Sequence, residues 1–197
     1  MKTVIIGSGR GSNAEAIIQA QLSQLLGKAE VQAIFSDNMD SGIMQIARNN
    51  NIEAHYLDGG SFKSKLDDKA EEVWIDAIMK LQPDLIALAG FMRVLKPAFL
   101  RAFKDTIVNL HPSLLPSFKG LRAIEQAFEY GVKISGCTVH WVTEEIDSGK
   151  IIGQAPVRIM AGDTVETLTQ KIHGAEHVLY PCVIRDISTG IIPFPGP

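Results

Sequence analysis

The sequence predicts an α/β fold: an open, mostly parallel, twisted sheet with helices on both faces, to which a late antiparallel hairpin is added. Three observations carry this expectation. Short β-branched, apolar runs alternate with segments of helical spacing as far as residue 131, the pattern of repeated strand–helix–strand units. Residues 85–89 (LIALA) are apolar throughout, which marks a strand covered on both faces. Beyond residue 131 two strand-like runs follow each other across one short acidic loop, and such neighbours pair antiparallel.

In chain order, residues 2–7 (KTVIIG) form the first strand and end in a glycine-rich turn. Residues 12–26 have helical spacing, with Ala16, Ile17, Ala20 and Leu25 among the apolar positions. A second strand, 31–35, is closed by the turn cluster Ser36-Asp37-Asn38. A helix over 43–48 and a third strand over 52–57 follow. Residues 64–81 read as a long amphipathic helix whose apolar face is Leu66, Ala70, Val73, Trp74, Ala77 and Ile78, and Pro83 stops it. After the fourth strand, 85–89, comes a loop over 90–95 and a short helix from about Pro97. The fifth strand is 106–110, and the helix over 121–130 is capped by Gly131. Strands over 133–143 and 151–160 flank the acidic loop 144–149, and a last helix spans about 164–187.

A length of 197 residues suits one domain, 1–197. Hydrophobic content of 46% with 21% charged residues provides for a sizeable core. The net charge of −3 argues against a large basic surface, so no nucleic-acid partner is expected. Cys137 and Cys182 are too few for a disulfide framework and read as packed thiols in a reducing compartment. No apolar run approaches a membrane span and no leader precedes the first strand, so no membrane partner and a cytoplasmic location are expected.

The chemistry concentrates where the fifth strand ends. Asn109 and His111 stand at its carboxyl edge, where open α/β sheets bind ligands. Pro112 and Pro116 fix the backbone just beyond. Asp147, in the later acidic loop, is a carboxylate suited to orient the histidine. These three are the candidate catalytic centre. Gly7-Ser8-Gly9-Arg10-Gly11-Ser12-Asn13 lies between the first strand and first helix. Its glycines permit close backbone approach and the helix offers free amides, so it favours a phosphate, with Ser12 and Asn13 as capping types. Two other readings stand beside it: a plain tight turn, and a dinucleotide site in which Asp37 imitates the ribose-binding acid, though the third glycine of that motif is missing.

Several patterns point elsewhere. His173-Gly174-Ala175-Glu176-His177 matches a zinc-protease spacing but singles out no third ligand, and no metal is expected. His140, between Val139 and Trp141, reads as a histidine satisfying a hydrogen bond. Ser113 lacks the flanking glycines of a nucleophile elbow.

The run Asn109-Leu110-His111-Pro112-Ser113-Leu114-Leu115-Pro116, followed by Asp147, resembles the signature of the folate-dependent formyltransferases. Gly11-Ser12-Asn13, Ala89-Gly90-Phe91-Met92-Arg93, Gly136-Cys137-Thr138-Val139-His140 and Glu176-His177 extend the resemblance over nearly the whole chain. It implies a formyltransferase-like sheet of Rossmann type. It also implies transfer of a formyl group from 10-formyltetrahydrofolate, a co-substrate, to the amine of glycinamide ribonucleotide in purine biosynthesis, without a metal. By the same resemblance the nucleotide phosphate sits on Gly11, Ser12 and Asn13, and His173 and Glu176 face the nucleotide. The folate lies against Met92, Arg93, Val94 and Leu95, against Asn109, and against Thr143, Glu144, Glu145, Ile146 and Asp147, with Lys65 at its tail. Arg122 and Lys150 depart from residues usual in the family. A formyltetrahydrofolate hydrolase and a non-catalytic nucleotide- or folate-binding protein are the alternatives, and a monomer or weak homodimer is the expected assembly.

Overall fold

In the computed structural model, which describes residues 1–196, the expected strands join one sheet. In chain order the elements are β1 (Lys2–Ile6), α1 (Ser12–Leu22), β2 (Glu30–Ser36), α2 (Gly42–Asn49), β3 (Glu53–Tyr56), α3 (Asp68–Met79) and β4 (Leu85–Leu88). They continue with α4 (Pro97–Ala102), β5 (Ile107–His111), α5 (Ala123–Tyr130), β6 (Ile134–Trp141), β7 (Ile151–Arg158) and α6 (Val165–Ser188). The sheet order is β3-β2-β1-β4-β5-β6-β7. It is parallel through β5, and the hairpin β6–β7 is added antiparallel. The direction of strand addition reverses between β1 and β4, which opens a crevice at their carboxyl ends.

Both faces of the sheet are covered, as the apolar β4 requires: all four of its residues are buried. On one face α1, α2, α5 and α6 pack over Ile5, Ile34, Val108 and Val139. On the other, α3 and α4 bring Trp74, Ile78 and Phe99 onto Val4, Phe35, Ile86 and Ile107. Trp74 has no exposed surface, and truncating such a ring to alanine costs roughly 3–5 kcal/mol. Tyr180 of α6 reaches through its layer, and its hydroxyl lies 3.0 Å from the Leu88 carbonyl and 3.2 Å from that of Val108. Among the described residues no helix is long and apolar enough to cross a membrane. Cys137 is a buried thiol pushed up to about 12 by its burial, and Cys182 is half-buried.

In three helices a boundary differs from the sequence expectation by two residues or more, each for a local reason. Helix α1 stops at Leu22 because Gln24 turns left-handed (φ 59°). The Leu25 amide then returns to the Ala20 carbonyl at 2.8 Å, a Schellman closure, and leaves Leu25 exposed while Leu26 is buried. Helix α3 begins only at Asp68, since Asp67 caps it by accepting from the Ala70 amide at 2.9 Å. Residues 64–66 are not helical: Ser64 lies in a bend and Lys65 bridges Val94; Val73 points to solvent. Helix α5 begins two residues later than expected because Arg122 is left-handed (φ 57°).

Candidate active site

Strand periodicity and pairing register assemble the centre. Asn109 and His111 are two apart on β5 and so share a face. The antiparallel register sets His140 of β6 directly opposite Asn109, and Thr138 opposite His111. The Asn109 amide nitrogen is 3.3 Å from Nε2 of His140, while Nδ1 of His140 is 2.9 Å from the Trp141 carbonyl. A carbonyl only accepts, so Nδ1 carries a hydrogen, and Nε2 faces the Asn109 amide. Thr138 pins the loop beyond β5: its hydroxyl donates to the Ser113 carbonyl (2.6 Å) and accepts from the Leu115 amide (3.1 Å).

Asp147 closes the cluster. Its Oδ2 lies 3.3 Å from His111 Nδ1 and accepts from the Gly120 amide at 2.8 Å; its Oδ1 lies 3.6 Å from His140 Nε2. The side chains of His111, His140 and Asp147 are all at most one-tenth exposed. Burial pushes the Asp147 carboxyl up, but His140, the Gly120 amide and the charge of His111 outweigh it, and the carboxyl rests below its ordinary value. Asp147 takes a left-handed backbone (φ 50°), which aspartate tolerates better than most residues. The neck of its loop is held by the Trp141 amide on the Lys150 carbonyl (3.0 Å). Gly149 permits that closure: a Cβ there would lie 1.7 Å from the Trp141 carbonyl oxygen. The other ring nitrogen of His111, Nε2, donates to the Phe118 carbonyl at 2.8 Å.

The glycine-rich turn lies at the far side of the crevice. Gly11, at φ 85°, is the N-cap of α1, and a Cβ on it would fall 2.7 Å from the Ile43 backbone. Ser12 and Asn13 therefore do not cap; they are the first helical residues. Asn13 instead donates to Glu176 Oε2 at 2.9 Å, and that oxygen is also 2.8 Å from His173 Nδ1. Glu176 is buried while His173 is half-exposed. The bond to Glu176 raises the His173 pKa against the opposing effect of burial.

Between these regions runs segment 91–95. Met92 and Val94 are exposed and Leu95 is buried. Arg93 does not point to solvent: its Nε is 2.5 Å from Asp37 Oδ2, and its Nη1 faces the carbonyls of Gly59, Phe62 and Lys65. Asp37 is thus occupied by a cation of the chain itself, which removes the ribose-binding acid that the dinucleotide reading needed. Lys65 is exposed, with Nζ 4.8 Å from the Phe62 ring centre. In the acidic loop Thr143, Glu144, Glu145 and Ile146 are exposed, and Lys119 Nζ reaches Ser148 Oγ at 2.5 Å.

Asn109, His111 and Asp147 thus converge, as do Asn13, His173 and Glu176. His140, read from the sequence only as a histidine satisfying a hydrogen bond, does so with Asn109 and the Trp141 carbonyl and joins the first group, and Gly120 joins it unannounced. The alternation Val139-His140-Trp141 located His140 on one strand face, but only the β5–β6 register brings that face to Asn109.

The family model described as formyl transferase matches residues 1–184. Phosphoribosylglycinamide formyltransferase of Escherichia coli (strain K12) is 39% identical over 190 residues, 96% of this chain and 88% of that protein. The protein of the same name from Bacillus subtilis (strain 168) is 38% identical over 186 residues, 94% of each. The crystal structure of glycinamide ribonucleotide transformylase 1 from Symbiobacterium toebii superimposes with a TM-score of 0.92 at 37% identity, over 100% of this chain and 91% of that one.

Proposed function

The chain belongs to the formyl transferase family, and from that membership we propose its reaction: the formyl group of 10-formyltetrahydrofolate passes to the amine of glycinamide ribonucleotide. The products are formylglycinamide ribonucleotide and tetrahydrofolate, in de novo purine biosynthesis. The chain is an enzyme, a folate-dependent formyltransferase. The observation that carries the reading is the contact of His111 with Asp147 beside Asn109, in a chain alike over nearly its full length to enzymes of that name.

The amine attacks the formyl carbon, and negative charge develops on the formyl oxygen. The Asn109 amide donates to that oxygen. His111 is the second donor, the oxyanion taking the place of the Phe118 carbonyl on Nε2. Each donor aimed at such an oxyanion is worth ~2.7–4 kcal/mol. Asp147, ionised at neutral pH, steadies the charged imidazole. It also takes the proton of the attacking nitrogen, through water, toward the leaving nitrogen of the folate. The carbon–nitrogen bond to the folate then breaks and the intermediate collapses.

For the substrates, the phosphate lies on Gly11, Ser12 and Asn13, with His173 and Glu176 toward the nucleotide. The folate lies on exposed Met92 and Val94, with Arg93 and Leu95 contributing backbone, and beside Asn109 and residues 143–147. Lys65 meets its anionic tail. The enzyme works in the cytoplasm.

A spectrophotometric transfer assay with purified protein, 10-formyltetrahydrofolate and glycinamide ribonucleotide tests the assignment. Tetrahydrofolate should form only when the acceptor is present. Equal formate release without the acceptor would make the protein a hydrolase instead, and binding of both ligands without turnover would make it a sensor.

A further inference from the structure

Asp37 follows β2 and Arg93 follows β4, so their ion pair spans the carboxyl end of β1, the strand between them. Neither side chain is more than about one-eighth exposed (12% and 9%). Charges are seldom withdrawn from water to this degree without a use for the geometry they fix. Here the use is visible on the other side of the guanidinium. Nη1 collects three backbone carbonyls, those of Gly59, Phe62 and Lys65, from one loop.

That loop has no apolar core of its own, since residues 58–65 are mostly Gly, Ser, Asp and Lys, and Phe62 is half-exposed. The guanidinium is its core. Gly59 sits so close that a Cβ on it would lie 2.2 Å from Arg93 Cζ. At its far end the loop is zipped to the segment that carries Arg93: Val94 donates to the Ser64 carbonyl at 2.8 Å, and Lys65 bridges Val94. Lysine could not replace this arrangement, because one ammonium cannot present a planar fork to an acid on one side and carbonyls on the other.

We propose that Arg93 and Asp37 are positioning residues, a clasp that holds residues 59–65 against Val94 and thereby sets Lys65 for the formyl donor, with no contact between the guanidinium and the folate. The inference rests on the reading that the donor binds along residues 92–95 with its tail at Lys65. It refines the sequence expectation, which set the folate against Arg93 without assigning its side chain a role.

Kinetics on the full chain and hydrogen exchange together decide it, using Asp37→Asn, Arg93→Gln and Gly59→Ala. The last variant leaves both charges in place and displaces the guanidinium from the loop side. In all three, the KM for 10-formyltetrahydrofolate should rise about tenfold, with kcat and the KM for glycinamide ribonucleotide within about twofold of wild type. The double variant Asp37→Asn/Arg93→Gln should be no worse than the worse single, because the two residues act as one unit. Amides of residues 59–66 should exchange faster in each variant while those of 107–111 do not. Three results would overturn the proposal: a donor KM raised by Arg93→Gln alone, which means direct contact; both KM values and kcat changing together, which means general loosening; or unchanged exchange in 59–66. A wild-type protein that takes no formyl group from folate would defeat the reaction assignment instead, and the exchange measurement would still decide the clasp.

Discussion

Where β5 meets β6, the polar side chains come from strand positions in fixed register, and His111, His140 and Asp147 are nearly sealed from water. Where β1 turns into α1, the polar groups come from a loop and a distant helix, and His173 stands half in solvent. The first arrangement holds His111, His140 and Asp147 in mutual contact before any substrate arrives, so little reorganisation of the carboxylate and imidazole is needed during the reaction. The second offers backbone amides and an adjustable partner, which suits holding a phosphate more than transforming it. Changes at the first region should therefore appear in turnover, and changes at the second in substrate affinity or in modest stability.

The largest expected effect is at the sealed region. His111→Ala and Asp147→Asn should each lower kcat by roughly 10²–10³ while thermal unfolding still shows a folded protein. Near-full turnover in either would dissolve the contrast. Next is Gly149→Ala, in the neck of the loop that carries Asp147. Its Cβ collides with the Trp141 carbonyl, so the loop neck must open and Asp147 shift, lowering kcat by about tenfold together with the melting temperature. At the open region Glu176→Gln should raise the KM for glycinamide ribonucleotide by about tenfold and leave kcat nearly untouched. A loss of kcat there would mean the two regions share the chemistry.

The smallest effect is one of pH. His173 has a folded pKa raised above its ordinary 6.5 by Glu176. Its contribution is therefore fully present below that value and fades as pH rises through the raised one. Thermal melts of wild type and His173→Gln should differ at pH 5.5 and coincide at pH 9, by less than about 1 kcal/mol because water screens a half-exposed pair. A difference that grows with pH would reverse the assigned sign.

Sequence reading reached the strands and their parallel and antiparallel portions because short β-branched apolar runs are local signals, and it reached the pairing of His111 with Asp147, far apart in the chain, through the family resemblance. What it missed depends on distant partners. His140 was expected to satisfy a hydrogen bond, but its place beside Asn109 and Asp147 depends on the β5–β6 register. Asp37 looked free to meet a ribose until Arg93, far along the chain, took it. Ser64–Leu66 had helical spacing, yet the bridge to Val94 and the Asp67 cap keep that stretch out of the helix. Arg122, which departs from the family's usual residue, stands exposed in the left-handed turn that starts α5. Left-handed turns at Gln24 and Arg122 likewise moved helix ends that apolar periodicity alone had extended.

A double-mutant cycle on kcat for formyl transfer, comparing His111→Ala, Asp147→Asn and the two combined, tests most directly whether the sealed cluster works as one unit. Coupled action predicts that the double variant is no slower than the slower single, within about threefold. Losses that multiply would show two independent groups, and the account of a carboxylate-steadied imidazole at the formyl oxygen would be wrong.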